Sequence, residues 1–267
     1  MTMPRRWFML GFAALLLGLG LLALNSPSYS QGAKDATGPM APEDFKMVLA
    51  GDIKYLQERF KKPNPERARS SLMSTAMIIA HTAQEQMKAP GANAQQLATL
   101  RDTALQVIKA LIDKDMKKAE ELAGTLSADM KADPAAKPEP VPLKGAHGFE
   151  LYDLMSPYRL ERANGRDIEK TLRDYARKGV SDPKQALEIA LRIRQLSELT
   201  MDYAPEQAEG AQKTPENWKK FTAETQQHAA EAIQALKQGK AGAAKARTSF
   251  KLLDGSCTKC HNVFRDA

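Results

Sequence analysis

The two cysteines of this 267-residue chain lie close together, and a histidine follows the second one directly. They form the segment Cys257-Thr-Lys-Cys260-His261. In a Cys-x-x-Cys-His segment, each thiol can add to one vinyl group of an iron porphyrin, and the histidine can ligate the iron. On a helix, positions i, i+3 and i+4 share one face, so the three side chains can reach one planar ligand. The segment therefore predicts one covalently attached haem c per chain, with His261 as an iron ligand.

Three other interpretations of the cysteine pair were weighed against haem attachment. A thioredoxin-type Cys-x-x-Cys follows a β-strand, and this sequence offers no such strand. A structural zinc site needs four ligands, and the chain has no further cysteine. A disulfide in an oxidising compartment explains neither the histidine nor the helix around it. We favour haem attachment over all three.

The N-terminal segment has the pattern of an export signal. Arg5 and Arg6 precede an apolar stretch at residues 7–24, and small polar residues follow at 25–31. We predict a signal peptide at residues 1–30 and a location in the periplasm or an equivalent outer compartment. The alternative is an uncleaved membrane anchor, since the apolar stretch is near the lower limit for a span. Removal of residues 1–30 deletes two arginines and no acid, so the formal charge falls from +7 to +5.

The rest of the chain is predicted to be all-α. Ala, Lys, Leu, Gln and Glu dominate, aromatic residues make up only 6%, and apolar residues recur at helical spacing. The predicted helical segments of the first half are 45–60, a run that begins after Pro65 and stops before Pro90, 97–111 and 116–130. Those of the second half are 149–177 (interrupted at Pro157 and Gly165), 183–203, 215–237 and 241–265. Four prolines predict an extended linker at 132–146. This pattern favours two tandem antiparallel four-helix bundles, a haemless one at 42–131 and a haem-binding one at 147–267.

The second unit resembles a known family in two places. The segment Cys257-Thr-Lys-Cys-His-Asn-Val-Phe-Arg265 is similar to the ending of class II c-type cytochromes, the cytochrome c-prime family and its low-spin relatives. Pro215-Glu-Asn-Trp218 is similar to that family's entry to its third helix. The resemblance covers residues 147–267. It implies a haem lodged between helices that carries electrons or, where the sixth iron position is vacant, binds small gases.

The same resemblance implies a second iron ligand. In low-spin members a methionine of the first helix fills the sixth position, and Met155 matches that place. A thioether ligand raises the reduction potential and suits electron transfer. Two alternatives stay open, a vacant sixth position and ligation by Met201. The chain has twelve methionines, and a methionine on an apolar helix face usually fills the core.

Other residues near the motif carry weaker expectations. Aromatic side chains expected to pack near the porphyrin are Tyr152, Phe250 and Phe264, whereas His81, His147 and His228 are expected to be ordinary surface or half-buried residues. Basic residues on the last helix are Lys245, Arg247, Lys251, Lys259 and Arg265. They form either a solvated helix face or a positive collar that steers acidic redox partners.

The expected function is electron transfer by an exported monohaem cytochrome. A five-coordinate haem protein that binds or senses small gases such as NO or CO is the alternative. A third hypothesis is a scaffold whose haemless half docks a membrane complex, and a homodimer is left open. The sequence contains no Ser-His-Asp set, phosphate loop or paired carboxylates, so it is not expected to be an enzyme. It has no basic stripe with interleaved aromatics, so no nucleic-acid partner is expected.

Overall fold

The computed structural model describes residues 38–264, and this part of the chain is all-helical with no strand. The predicted signal peptide at 1–30 and Arg265 lie outside the described residues. The α-helices within 38–264 are α1 Pro42–Phe60, α2 Arg69–Gln86, α3 Ala94–Ile112, α4 Met116–Thr125, α5 Leu151–Leu154, α6 Ile168–Lys178, α7 Pro183–Met201, α8 Pro215–Lys237 and α9 Ala243–Phe264. Among these helices, none is both long and apolar enough to cross a bilayer.

Several helices begin at a side chain that caps the first turn. The caps of α3, α4, α7 and α8 are Asn93, Asp115, Asp182 and Thr214, and each accepts a hydrogen bond from a backbone N–H three residues later. Such a cap satisfies an N–H that has no partner inside the helix, and it typically contributes about 1 kcal/mol. Proline occupies the first position of α7 and α8, where its missing N–H costs nothing.

The four helices of the first half pack on one another, with α2 and α3 in the most extensive contact. Helix α2 is buried over most of its length, because it also contacts the second half. Helix α4 ends at Thr125, earlier than the predicted residue 130. Leu126 leaves the helix with extended backbone and is buried, and its carbonyl accepts a hydrogen bond from Gln57 at 3.2 Å.

The segment predicted as a linker, residues 132–146, contains no α-helix and lies along α2 and α3. Arg101, on α3, donates to the carbonyls of Lys137 and Glu139 at 2.8 and 2.6 Å. Gln84, on α2, exchanges two hydrogen bonds with the backbone of Val141. These contacts satisfy backbone groups that an extended segment cannot pair internally. The segment therefore lies against the first half.

In the second half, α8 contacts both α7 and α9, and α9 contacts α6. The first predicted helical region here is broken into α5, two 3₁₀ turns at Ser156–Tyr158 and Glu161–Ala163, and α6. The breaks fall near Pro157 and Gly165, as predicted. Pro157 has no N–H to continue the helix ladder, and Gly165 packs so closely on the backbone of Arg159 that a Cβ would not fit.

The two halves also contact each other. Helices α1 and α2 pack against α7, and α2 packs against α5 and the turn at Ser156–Tyr158. The buried apolar side chains of both halves form one continuous cluster. The domain boundaries at 42–131 and 147–267 stay a prediction.

Candidate functional site

A cavity of about 450 Å³ lies in the second half, between α5, α6, α7, α8 and α9. Met155, Cys257, Cys260 and His261 all line it. The cavity thus brings together the four residues that the sequence singled out as haem-binding. Their roles as attachment points and ligands stay a prediction.

Helix α9 presents the cysteines and the histidine to the cavity because of its helical periodicity. Ala246, Phe250 and Leu253 lie on its buried face. The same stripe continues into Cys257, Cys260 and His261, which are half-buried, whereas Thr258 and Lys259 between them are exposed. Side chains three and four positions apart lie on one helix face, so the stripe passes from the core into the cavity without a change of direction.

Both cysteines are free thiols in the structure. Burial raises the pKa of Cys257 to about 12, with further contributions from the neighbouring Cys260 and Asp254. Burial also raises the pKa of Cys260 to about 11. Both thiols are therefore neutral near pH 7, unlike the low-pKa thiolate of a redox-active or metal-binding cysteine. Within residues 38–264, no three His, Cys, Asp or Glu side chains come together as a metal site.

Met155 lies at the C-terminal end of α5, where its N–H donates to the carbonyl of Leu151 at 3.0 Å. Helix α5 begins with a capping box, in which Glu150 and Asp153 each accept a hydrogen bond from the other's backbone N–H. The 3₁₀ turn that contains Pro157 follows directly. Met155 therefore lies at the junction between a four-residue helix and a 3₁₀ turn, and not in the middle of a long helix.

Aromatic and apolar side chains form much of the cavity wall. Those nearest the end of α9 are Trp218, Phe221 and Phe264. Phe264 meets Trp218 edge-on with ring centroids 5.0 Å apart, and the Trp218 indole donates to the carbonyl of Thr200 at 2.9 Å. Tyr152 also lines the cavity but is 60% exposed. Such a wall suits a flat, largely apolar ligand.

Tyr158 and Arg159 are among the residues of the cavity wall that the sequence interpretation missed. Burial and the nearby thiols of Cys257 and Cys260 raise the pKa of Tyr158 well above its usual range, so its phenol stays neutral. Arg159 donates to the Tyr152 hydroxyl at 2.8 Å and stacks over that ring, and within residues 38–264 it pairs with no carboxylate. An aromatic and a basic residue directly after Met155-Ser-Pro were the available signal.

Partly exposed charged side chains also line the cavity. Arg173 donates to Glu169 at 2.5 Å, and Asp254 lies 3.8 Å from the Arg173 guanidinium. The described basic residues of α9 that were considered as a collar lie elsewhere. None of Lys245, Arg247, Lys251 and Lys259 lines the cavity. Lys259 is 3.7 Å from Glu224 in an ion pair.

Four other residues considered from the sequence lie outside the cavity wall. Phe250 is fully buried against Tyr175, with ring centroids 5.4 Å apart. Met201 ends α7 and does not line the cavity. His228 contacts Glu231 at 3.1 Å, and His147 is exposed in a 3₁₀ turn.

His81 differs from the expectation of a surface or half-buried residue. It is only 8% exposed, and its Nε2 lies 2.9 Å from a carboxylate oxygen of Glu198. His81 belongs to α2 and Glu198 to α7, so this contact joins the two halves. The partner came from the other half of the chain, which explains why helix periodicity alone did not predict the burial.

The residues around the cavity fit a covalently held haem. A volume of about 450 Å³ lies within the range of roughly 300–1,000 Å³ typical of small-molecule sites. The two neutral thiols, the imidazole and the thioether supply two attachment points and two candidate iron ligands around one space.

Comparisons with models of known protein families, with curated proteins and with solved structures find no match for this chain.

Proposed function

We propose that this chain is an exported monohaem c-type cytochrome that transfers electrons. The observation that carries the proposal is that Cys257, Cys260, His261 and Met155 line one cavity. Any one of these residue types is common on a helix, but their convergence on a single aromatic-walled space is specific. The haem, when bound, supplies a one-electron couple between its ferric and ferrous iron.

In this proposal Cys257 and Cys260 hold the porphyrin. Each S–H would add across one vinyl group, with its sulfur on one vinyl carbon and its hydrogen on the other. Neither oxidant nor reductant is consumed, and no group leaves.

His261 and Met155 would hold the haem iron. His261 offers an imidazole nitrogen and Met155 a thioether sulfur, a pair that favours a relatively high reduction potential. The apolar wall formed by Trp218, Phe221 and Phe264 would limit water around a bound haem, which would favour a change of oxidation state with little rearrangement.

Arg159 and Arg173 are the proposed partners of the haem carboxylates. Both line the cavity, and among the described residues the Arg159 guanidinium contacts the hydroxyl and ring of Tyr152 and no carboxylate. A guanidinium pairs with a carboxylate through two parallel hydrogen bonds, so it suits this task better than a lysine would. Neutral Tyr158 adds a hydroxyl on the same wall without adding charge.

We also propose that the helices form two four-helix bundles in tandem, the first without haem. The mutual packing of α1, α2, α3 and α4, and of α6, α7, α8 and α9, supports this arrangement. Export to the periplasm rests on the N-terminal sequence pattern, and acidic redox partners rest on the formal net charge, which is +7 for the full chain and +5 without residues 1–30. If the rate of electron exchange with a partner does not change with ionic strength, the proposal that acidic partners dock by charge is wrong.

The absorption spectrum of the purified protein in both oxidation states tests the proposed function. A six-coordinate iron with histidine and methionine gives a low-spin spectrum in both states. A five-coordinate iron gives a high-spin spectrum and binds carbon monoxide readily when reduced, which would favour the gas-binding alternative. A colourless protein from a host that matures c-type cytochromes would contradict both.

A further inference from the structure

The segment that carries Met155 is tied to the first half of the chain. Residues 154–167 contact that half at several separate points. Arg59 donates to the Asn164 side chain, Lys62 lies 3.2 Å from Glu161, and the Arg166 guanidinium stacks over the Tyr55 ring at 4.2 Å. Because all of these partners belong to α1 or follow it directly, one face of the haemless half holds the whole segment.

The strongest of these ties is a buried ion pair. Arg166 donates to Oδ1 of Asp52 at 2.6 Å, and the side chains are 9% and 1% exposed. Arg192, on α7, donates to the same oxygen at 2.7 Å. Burial raises the pKa of Asp52, but Arg192 and Arg166 together lower it by more, so the carboxylate stays charged. One carboxylate of the first half therefore holds two cations of the second.

A second tie lies next to the methionine itself. Ser74, on α2, donates its hydroxyl to the carbonyl of Leu154 at 3.3 Å, and both residues are fully buried. Leu154 directly precedes Met155. Helix α2 also packs along α5 and along the turn at Ser156–Tyr158. The backbone on each side of Met155 is thus backed by a helix of the first half.

The segment needs this support because its own structure is weak. Helix α5 has only four residues, and an isolated helix of that length is not stable in water. Asn164 and Asp167 both have positive φ, at 60° and 55°, a conformation that costs free energy for residues other than glycine. Local hydrogen bonds, such as that from Arg166 N–H to the carbonyl of Pro157, close the loop on itself but do not fix its place beside α9.

We infer that the haemless half acts as a positioning element for the sixth iron ligand. Arg166, held by Asp52, and Ser74, bonded to Leu154, fix the segment so that Met155 stays in the cavity with His261. The inference rests on the proposed function, and it assigns a role to the half of the chain that has no cysteine. A thioether is a weak ligand on a flexible side chain, so its occupancy of the iron depends on how well the backbone beneath it is held.

The test compares two variants that loosen the segment with one that loosens another contact between the halves. Arg166→Gln removes the guanidinium but leaves Asp52 paired with Arg192, and Ser74→Ala removes the bond to Leu154. His81→Gln is the control, because its partner Glu198 does not line the cavity. Arg166→Lys keeps the positive charge and can still donate to Asp52, and it serves as the conservative rescue.

Two readouts separate positioning from general destabilisation. Amide hydrogen exchange of residues 154–167 in the haem-free protein reports the segment directly, and we expect about tenfold faster exchange in Arg166→Gln and Ser74→Ala. The ferric absorption spectrum and the reduction potential of the haem-loaded protein report the ligand. We expect a growing high-spin fraction and a lower potential in the same two variants, near-native values in Arg166→Lys and native values in His81→Gln.

The outcomes distinguish failure of this inference from failure of the proposed function. A protein that takes up no haem overturns the function, while hydrogen exchange still measures the anchoring of the segment. A haem-loaded Arg166→Gln and Ser74→Ala pair with native spectra and potentials overturns the positioning role. The positioning role is also overturned if His81→Gln changes the spectrum as much as Arg166→Gln and Ser74→Ala do, since the effect would then be a general loss of stability.

Discussion

Met155 and His261 line the same cavity although α6, α7 and α8 separate them in the sequence. Met155 ends the short helix α5, and His261 lies in the last turns of α9. Neither residue can reach a shared ligand until the second half has packed. The proposed iron site is therefore a product of tertiary structure, while the attachment motif itself is local to one helix.

Replacement of Met155 tests the sixth ligand. Met155→Ala removes the thioether, so the ferric iron should become high-spin and the reduction potential should fall by something on the order of 0.1 V, within the span of roughly 0.8 V that axial ligands set. Spectroelectrochemistry measures both. Met201→Ala is the matched control, because Met201 ends α7 outside the cavity wall. An unchanged spectrum in Met155→Ala would leave the sixth position vacant or filled by another residue.

The free thiols predict a pH dependence of the haem-free protein. The folded chain raises the pKa of Cys257 to about 12 and that of Cys260 to about 11, from an ordinary value near 9. The folded state thus holds these protons more tightly than the unfolded state, so the unfolded state is favoured progressively as pH rises from about 9 to about 12. Denaturant unfolding across this pH range measures the loss in the free energy of unfolding.

The double variant Cys257→Ala/Cys260→Ala is the control for that experiment. It lacks both thiols, so its stability should fall less steeply over the same pH range. The difference between the two slopes of stability against pH gives the contribution of the cysteines, separate from that of lysines and tyrosines that titrate in the same pH range. Parallel slopes would show that the thiols are not buried in the neutral form.

Loss of the carboxylate at position 52 should cost more stability than any single surface change. Asp52→Asn leaves Arg166 and Arg192 buried without their shared anion, which typically costs about 3–5 kcal/mol. The pKa of Asp52 is lowered in the folded chain, so its contribution is complete above about pH 4 and is lost as pH falls further. Urea unfolding of the native sequence and of Asp52→Asn should therefore show a difference in the free energy of unfolding that becomes smaller in acid.

Gly165 should not tolerate a side chain. A Cβ at this position would lie 2.1 Å from the carbonyl oxygen of Arg159, so Gly165→Ala must displace the loop that follows Met155. We expect a loss of about 1–3 kcal/mol in the free energy of unfolding. Gly124→Ala is the matched control, since a Cβ there meets nothing within 4 Å and a helical alanine should add roughly 0.5 kcal/mol. Equal effects of the two substitutions would contradict the close packing of Gly165.

The helices were predictable where capping and periodicity agree. Thr214 and Pro215 mark the start of α8 by local chemistry alone, and the predicted segment 215–237 coincides with the observed helix. The end of α4 was not predictable, because the chain leaves the helix to bury Leu126 under Gln57 of α1. A contact with another helix outweighs a local helical preference there.

Part of the site was also predictable from the sequence. The cysteines and His261 depend on spacing within one helix, and Met155 came from a family resemblance. Tyr158 and Arg159 line the cavity in a loop that folds back on itself, and Arg166 of that loop is paired with Asp52, far away in the sequence. Sequence patterns report which side of a helix is buried, but they do not report which distant carboxylate a loop arginine will meet.

The mass and colour of the denatured polypeptide test the central claim most directly. The protein should be produced in a host that matures c-type cytochromes and then unfolded, with the Cys257→Ala/Cys260→Ala variant beside it. The account predicts that the native sequence stays coloured and is heavier than its amino acids by one haem, while the variant is not. A colourless chain whose mass equals that of its amino acids would contradict it.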